Sequence, residues 1–168
     1  MLNEREKIHQ AYKTVVLTIS DKCSQGQRED KSGKIVQEII QKLPAEIIKY
    51  EIIPDEPGLI KERLIHYSDD LKVDLVLTTG GTGFTPRDFT PEATKEVIER
   101  EVPGIPEAMR VECLKFTKRA MLSRAISGIR GKTLIINLPG SYQGAKESLE
   151  AILDGLAHGL DMIVGREH

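Results

Sequence analysis

The sequence predicts an α/β fold, a three-layer αβα sandwich with a mostly parallel sheet and an antiparallel hairpin strand. Short apolar, β-branched runs alternate along the chain with segments whose apolar residues recur at helical spacing. Strands that alternate with helices in this way pair in parallel between two helical layers. The chain has 168 residues, the size of one domain. We therefore expect one domain at 14–168 after a polar arm at 1–13.

Three strands and two helices are expected in the first half. The strands span 13–19, 46–53 and 73–78, and the first and third are apolar enough to be buried on both faces. Apolar residues at helical spacing over 35–43 predict the first helix, with Asp30 or Ser32 as its N-cap. Pro57 suits the first turn of the second helix, whose apolar face runs to Leu71.

The second half is expected to add helices and a hairpin. Thr90 is predicted to cap a helix that begins with proline, and a further apolar helical face covers 105–116. Strands at 125–129 and 133–137 are joined by a tight turn, which predicts an antiparallel strand at or near the sheet edge. The chain should end in one or two helices, with a break near 155–159.

Composition excludes several classes of function. The 24 basic and 26 acidic residues leave a net charge of −2, and aromatic residues are scarce, so neither nucleic acid nor an anionic membrane is expected as a partner. No apolar run is long enough to span a bilayer, and the polar start lacks a signal peptide. A cytoplasmic protein is therefore expected. Cys23 and Cys113 are far apart and the histidines are scattered, which argues against a disulfide or a zinc site.

Unusual residues collect in the loops that follow four of the strands. These loops begin at Ser20, Pro54, Gly80 and Asn137. Ligands of open α/β sheets bind outside the carboxyl ends of the strands. If the strands are parallel, the four loops meet at one edge of the sheet and form a ligand site there.

The residue types in these loops indicate a phosphorylated ligand. Gly80–Gly83 lets backbone N–H groups approach an anion, with the hydroxyl of Thr82 beside them. Gly140 and Ser141 precede a helix and form a second anion site. Three carboxylates reach the same edge: Asp21, Asp55 and Asp88. Anion cradles beside carboxylates suit phosphates bridged by a divalent metal, hence a nucleotide or phosphorylated ligand with Mg²⁺.

Each feature also has a simpler interpretation. The glycines could form only a tight turn, and Asp88 could be a solvated loop residue. Asp55 could cap the helix at Pro57, and Thr90 and Ser141 could be ordinary helix caps. Four such features at equivalent positions after strands nevertheless favour a site.

Three segments together resemble the MoaB/Mog family of molybdenum cofactor biosynthesis. They are TTGGTG at 78–83, PRDFTPEAT at 86–94 and NLPGS at 137–141. The loop from Ser20 to Gly33 and the IPDE segment at 53–56 match the same pattern. The resemblance covers about residues 13–165, nearly the whole chain.

The resemblance implies a molybdopterin-binding domain that assembles into homotrimers or hexamers. Active members use ATP as co-substrate and Mg²⁺ as cofactor to transfer AMP to the terminal phosphate of molybdopterin, releasing pyrophosphate. The product then receives molybdate or tungstate, so a molybdate-insertion protein of the same pathway is an expected partner. Some MoaB-type members have lost activity, so a non-catalytic molybdopterin-binding or carrier protein is the alternative.

The resemblance also assigns roles to residues. Asp55 and Asp88 match the two acidic positions tied to catalysis and are the expected Mg²⁺ ligands. The expected ligands of molybdopterin and ATP phosphates are Ser20, Asp21, Gly80, Gly81, Thr82, Gly83, Arg87, Pro139, Gly140 and Ser141. The chain departs from the common pattern at Lys34 and Tyr142, where many members have proline. It also lacks an insertion of the Mog type, which makes it closer to the MoaB type.

Overall fold

A six-stranded sheet forms the centre of the computed structural model, which describes residues 10–166. Its strands are β1 (Tyr12–Ile19), β2 (Ala45–Ile53), β3 (Leu75–Thr79), β4 (Arg100–Glu101), β5 (Ser127–Arg130) and β6 (Thr133–Leu138). The order across the sheet is β2-β1-β3-β6-β5-β4. Strands β1, β2, β3 and β6 pair in parallel, while β5 runs antiparallel to both β6 and β4. The predicted fold class and antiparallel hairpin are confirmed.

Helices cover both faces of this sheet. They are α1 (Asp21–Ser24), α2 (Lys31–Ile40), α3 (Pro57–Ile65), α4 (Thr90–Val97), α5 (Gly104–Cys113) and α6 (Tyr142–Val164). A π-helical turn at His66–Asp70 extends α3, and a 3-10 helix at Lys118–Leu122 follows α5. Apolar residues of α2, α5 and α6 pack on one face, and those of α3 and α4 pack on the other.

Burial of the central strands explains their apolar sequences. Every residue of β3 is buried, and successive residues of β1 belong to different cores: Val16 packs beneath α2 and α6, while Val15 and Leu17 pack beneath α3 and α4. A strand covered on both faces needs apolar side chains at consecutive positions. The continuous apolar runs in the sequence therefore have a direct structural cause.

The structure settles two expectations about helix ends. Asp30 is the N-cap of α2, since its carboxylate accepts the N–H of Gly33. Thr90 is not a cap: it is the first residue of α4, after Phe89 at the N-cap position. Its backbone N–H donates to the carbonyl of Gly81 at 3.1 Å, so the glycine loop fixes where α4 begins.

The predicted break near 155–159 is wrong, because α6 is one helix of 23 residues. Buried residues continue along one face through Leu149, Leu153, Leu156 and Leu160. Their burial outweighs the helix-propensity cost of a glycine, roughly 1 kcal/mol. Strand β4 was not predicted, because its two exposed residues carry no apolar pattern.

Part of the predicted arm at 1–13 belongs to the sheet. Residues 1–9 lie outside the described residues, but β1 begins at Tyr12. The Tyr12 hydroxyl donates to Asp161 of α6 at 2.7 Å, which connects the start of the sheet to the last helix. Within residues 10–166, none of the helices combines the length and apolar character that a membrane span requires.

Candidate functional site

The loops after β1, β2, β3 and β6 line one cavity of about 1190 Å³ at the carboxyl ends of these strands. Most of the residues predicted from the sequence lie in its wall: Ser20, Asp55, Gly80, Gly81, Thr82, Gly83, Asp88, Pro139, Gly140 and Ser141. Asp21 and Arg87 are not part of the wall and pair with each other beside it. The cavity exceeds the roughly 300–1,000 Å³ of an ordinary small-molecule site, so it has room for two ligands.

Asp21 and Asp55 hold each other's loops through reciprocal hydrogen bonds. The N–H of Asp21 donates to Asp55 Oδ2 at 2.8 Å, and the N–H of Asp55 donates to Asp21 Oδ1 at 3.1 Å. The N-cap position of α3 is Glu56, without a side-chain cap bond. Asp55 is therefore not the cap of this helix, and its Oδ1 makes no hydrogen bond within residues 10–166.

The pKa values of these two carboxyl groups move in opposite directions. Burial raises the pKa of Asp55, and the negative charges of Asp21 and Asp88 add to this rise. Hydrogen bonds from Arg87 lower the pKa of Asp21. Arg87 approaches Asp21 at 2.6 and 3.0 Å and also donates to Glu56 at 2.9 Å. Its guanidinium, expected on a phosphate, here joins the loops after β1, β2 and β3.

Glycine is required at two positions of the loop after β3. Gly80 and Gly81 have φ angles of +104° and +68°, which other residues rarely adopt. A Cβ on Gly80 would overlap the carbonyl oxygen of Ile19, and a Cβ on Gly81 would overlap the hydroxyl of Thr90. The Cβ of residue 81 would also lie 3.4 Å from Asp55 Oδ1. The absence of side chains thus lets the loop approach both β1 and Asp55.

This loop leaves a run of unused hydrogen-bond donors. No acceptor within residues 10–166 receives the backbone N–H groups of Gly81, Thr82, Gly83 and Phe84. Successive free N–H groups in a glycine-rich loop form an anion-binding concavity. The Thr90 hydroxyl, buried behind Gly81, is likewise without a partner in the described part of the chain.

Asp88 is fixed by the turn that it closes. Its Oδ2 accepts the N–H of Thr85 at 2.9 Å, and its own N–H donates to the carbonyl of Thr85 at 3.0 Å. A Cβ on Gly83 would lie 2.9 Å from Asp88 Oδ2. The carboxylate therefore lies directly against the glycine loop, with Oδ1 outside these bonds.

The second glycine segment packs against the first. A Cβ on Gly140 would lie 3.1 Å from the Cα of Gly80, and the N–H of Gly80 donates to the carbonyl of Leu138 at 3.2 Å. Ser141 caps α6, since its hydroxyl accepts the N–H of Gly144 at 3.1 Å. Ser141 is thus both a helix cap and part of the cavity wall, and the two predicted anion sites are adjacent.

Buried Asn137 holds the strands and helix behind the cavity together. Its amide nitrogen donates to Thr78 at 3.1 Å and to Thr94 at 2.9 Å, while its Oδ1 accepts the N–H of Ile126 at 3.2 Å. These bonds connect β6 to β3, to α4 and to the segment that enters β5. Asn137 therefore supports the NLPGS loop from below.

Asp30 is a second buried support, beside the loop after β1. Its carboxylate accepts hydrogen bonds from Thr18 at 2.5 Å, Ser32 at 3.1 Å, the N–H of Gly33 at 2.9 Å and the Tyr50 hydroxyl. Burial raises the pKa of the Tyr50 phenol, and its hydrogen bond to Asp30 adds to this rise. Because both Asp30 oxygens are engaged, this carboxylate serves the loop and not a ligand.

Arg124 is a functional candidate that the sequence analysis missed. Its Nε donates to the carbonyl of Gly83 at 2.7 Å, and its Nη2 donates to the carbonyl of Asp88 at 2.7 Å. Its Nη1 pairs with Glu92, and its backbone N–H donates to the carbonyl of Thr82 at 2.9 Å. An arginine in the segment before a strand carries no sequence signal for such a role.

Cationic side chains in the cavity wall were also missed. Arg28, Lys31, Arg110 and Arg119 line the cavity together with the predicted residues. Arg28 donates to the hydroxyl of Ser20 at 3.2 Å. The cavity thus combines carboxylates, free N–H groups and cations, a combination suited to ligands with several phosphates.

The donor set fits a magnesium ion shared with a phosphate ligand. No cluster of three or more His, Cys, Asp or Glu side chains in residues 10–166 could enclose a metal ion. Mg²⁺ in phosphate-binding sites is held by one or two carboxylates and by the substrate phosphates. The free Oδ1 atoms of Asp55 and Asp88 meet that requirement beside the unused N–H groups of the glycine loop.

The chain is similar to known molybdopterin proteins over nearly its whole length. The family described as "probable molybdopterin binding domain" matches residues 15–158. A molybdopterin adenylyltransferase of Helicobacter pylori (strain J99) is 47% identical over 153 residues, which are 89% of this chain and 86% of the relative. A molybdopterin adenylyltransferase of Escherichia coli K12 is 40% identical over 151 residues, 86% of this chain and 77% of the relative. The crystal structure of MoaB from Thermus thermophilus has a TM-score of 0.88 and 49% identity, and the match covers 92% of this chain and 97% of that one.

Proposed function

The chain belongs to the MoaB/Mog family of molybdenum cofactor biosynthesis proteins, whose domain matches residues 15–158, and we propose that it is a molybdopterin adenylyltransferase. The relatives from Helicobacter pylori and Escherichia coli are named for this activity. The observation that carries the proposal is the position of Asp55 and Asp88 in the wall of the same cavity as Gly80–Gly83. Carboxylates beside an anion cradle suit the transfer of a phosphoryl-type group.

The proposed reaction forms one oxygen–phosphorus bond and breaks another. An oxygen of the terminal phosphate of molybdopterin attacks the α-phosphorus of ATP. The bond from this phosphorus to the oxygen that bridges to the β-phosphate breaks, and pyrophosphate leaves with that electron pair. Because the nucleophile belongs to the substrate, the protein needs only to align the two phosphates and neutralise their charge.

The residues of the cavity wall, and the Asp21–Arg87 pair beside it, divide these tasks. The free N–H groups of Gly81 and Gly83 bind phosphate oxygens, with Gly140 beside them. Asp55 and Asp88 would hold Mg²⁺, which would neutralise charge on the phosphates. Ser20, Thr82, Pro139 and Ser141 shape the wall around the phosphates. Asp21 and Arg87 hold the loops after β1, β2 and β3 together.

We test the proposal by mixing the protein with molybdopterin, ATP and Mg²⁺ and measuring pyrophosphate and adenylylated molybdopterin. Asp88→Asn removes the charge but keeps an acceptor for the Thr85 N–H, so it should slow turnover about 100-fold or more without unfolding the loop. Asp88→Ala should do the same at a greater cost in stability. Asp154→Ala, which changes an exposed carboxylate on α6, should turn over like the wild type.

Two outcomes would contradict the proposal. If the wild type binds molybdopterin but forms no product, the protein is a carrier. If Asp88→Asn turns over as fast as Asp154→Ala, Asp88 has no part in the chemistry.

We propose further that the protein acts in the cytoplasm as a homotrimer or hexamer and passes its product to a molybdate-insertion protein. Exposed apolar side chains on α5 and in the following segment support an oligomer. They are Val111, Leu114, Phe116, Met121 and Leu122. Apolar surface of this kind is usually covered by a partner.

A further inference from the structure

Arg124 binds backbone carbonyls of the loop after β3, which carries both the free N–H groups of the glycines and Asp88. We propose that Arg124 is a positioning residue for adenylyl transfer, one that sets the distance between the free N–H groups of the glycine loop and the Asp88 carboxylate. This inference rests on the proposed function. Arg124 is not part of the cavity wall, whereas Gly83 and Asp88 are, so it acts through these two residues.

Four groups between residues 82 and 92 accept hydrogen bonds from this single residue. They are the carbonyls of Thr82, Gly83 and Asp88 and the carboxylate of Glu92. The two ends of the loop, separated in sequence by the turn at 85–88, are thereby held to one rigid guanidinium plane. Among the described residues, the loop is also restrained by the Thr85–Asp88 turn, by the bond from Thr90 to Gly81 and by the bonds of Arg87 to Asp21 and Glu56. None of these bonds engages the carbonyls of Thr82, Gly83 and Asp88 that Arg124 binds.

These bonds also orient the anion cradle. In a trans peptide, the N–H of one residue points opposite to the carbonyl of the residue before it. The carbonyls of Thr82 and Gly83 point to Arg124, so the N–H groups of Gly83 and Phe84 point away from it. Both N–H groups are without an acceptor in the described residues, so Arg124 keeps them available to a phosphate.

A lysine cannot replace this arginine. The guanidinium is planar and offers five N–H donors in a fixed fork, while the lysine ammonium is a point charge on a flexible stem. One ammonium cannot span the carbonyls of Gly83 and Asp88 and the carboxylate of Glu92 in the observed geometry. Lysine would retain the charge and lose the alignment.

Arg130 provides a matched control. Its Nη1 donates to the carbonyl of Val97 at 2.9 Å, and its Nε and Nη2 bind Asp69 at 3.0 and 2.7 Å. It therefore makes the same kinds of bond as Arg124 and is comparably exposed, at 23% against 33%. None of its partners lines the cavity.

The experiment compares Arg124→Lys and Arg124→Ala with Arg130→Lys and Arg130→Ala. For each variant, kcat and KM are measured in the adenylylation assay, and Tm is measured by thermal unfolding. We expect the two positions to lower Tm similarly, while kcat falls about 100-fold only at position 124, because misplacement of reacting groups by about 1 Å has that effect. Added guanidinium ion at millimolar concentration should restore part of kcat in Arg124→Ala but not in Asp88→Asn.

The kcat values of these variants test the positioning role of Arg124. Loss of kcat at position 124 alone, with guanidinium rescue, supports the positioning role. If Arg124→Lys is as active as the wild type, or if kcat falls equally at positions 124 and 130, the role is overturned. A wild type that forms no product refutes the proposed function itself, which is distinct from an active wild type that tolerates Arg124→Lys.

Discussion

Asp21 and Asp55 show how the environment of a residue decides its chemistry. The two side chains are of the same type and each accepts the other's N–H. Arg87 nevertheless lowers the pKa of Asp21, while burial and neighbouring carboxylates raise the pKa of Asp55. Asp21 is thus bound as the anionic partner of an arginine. Ionised Asp55 is disfavoured in the folded protein, and a cation bound in the cavity would stabilise its negative charge.

This contrast predicts the effect of Asp55→Asn on stability. Because the folded pKa of Asp55 lies above its ordinary value of 3.8, the folded protein holds this proton more tightly than the unfolded chain. Ionised Asp55 therefore destabilises the fold at neutral pH, and the cost disappears as the pH falls through the raised pKa toward 3.8. Asparagine keeps an acceptor for the Asp21 N–H. We expect Asp55→Asn to raise Tm at pH 7 and to abolish product formation.

Asp69→Asn is the control, because it should change Tm in the opposite direction. Arg130 lowers the pKa of Asp69, so its ionised form stabilises the fold above the ordinary pKa, and this contribution is lost as the pH falls. Asp69→Asn should therefore lower Tm at pH 7. Thermal unfolding from pH 3 to pH 8 checks the direction of both Tm changes. A Tm below that of the wild type for Asp55→Asn at pH 7 would refute the prediction for Asp55.

Among the secondary-structure elements, α6 shows that glycine in a sequence does not define a helix end. The helix runs without interruption from Tyr142 to Val164, through Gly155 and Gly159. A Cβ at either position would meet no atom within 4 Å. Nothing in the packing therefore requires glycine at these two positions.

We predict that Gly155→Ala stabilises the protein. Alanine is favoured over glycine in a helix interior by about 0.5–1 kcal/mol, and the free energy of unfolding in urea should rise by about that amount. Gly144→Ala is the comparison, because its Cβ would lie 2.6 Å from Ser141 Oγ and 3.0 Å from Pro139. It should lower stability, and equal effects at both positions would contradict the packing argument.

The loop after β3 is the element whose sequence indicated the site most completely. Gly80–Gly83, which includes Thr82, and Asp88 were all predicted to face a ligand, and all lie in the cavity wall. Their assigned roles remain predictions. What could not be predicted is that Arg124, 41 residues beyond Gly83, holds the loop in place, because no local pattern encodes a contact over that distance.

In the molecule as a whole, the site lies where the chain reverses its course across the sheet. Strand β1 lies between β2 and β3, so the chain moves outward to β2 and then returns to the other side of β1. Ligands of open α/β sheets bind at such switch points. The loops after β1 and β3 therefore diverge there and leave the cavity between them.

The proposed oligomer gives a prediction about the assembled protein. Light scattering should give a mass corresponding to three or six chains. Met121→Lys, in the 3-10 helix after α5, should reduce this mass, because it places a charge among the exposed apolar side chains. Met162→Lys is the control, since Met162 is similarly exposed, at 62% against 66%, but lies on α6. An unchanged mass for Met121→Lys would place the interface elsewhere.

Local sequence patterns were sufficient to predict the order of strands and helices, the parallel α/β class and the loops that carry Asp55, Asp88 and the glycines. Strand and helix periodicity and the residues that turns require are all encoded within a few positions. These features therefore follow from the amino-acid sequence without any knowledge of how the chain packs.

The remaining features depend on tertiary contacts. The reciprocal bonds of Asp21 and Asp55 join residues 34 positions apart. The continuity of α6 depends on burial against the sheet and α2, and the hold of Arg124 on the glycine loop depends on where β5 begins. Each of these requires contacts between distant segments, which form only when the sheet and its helices pack together.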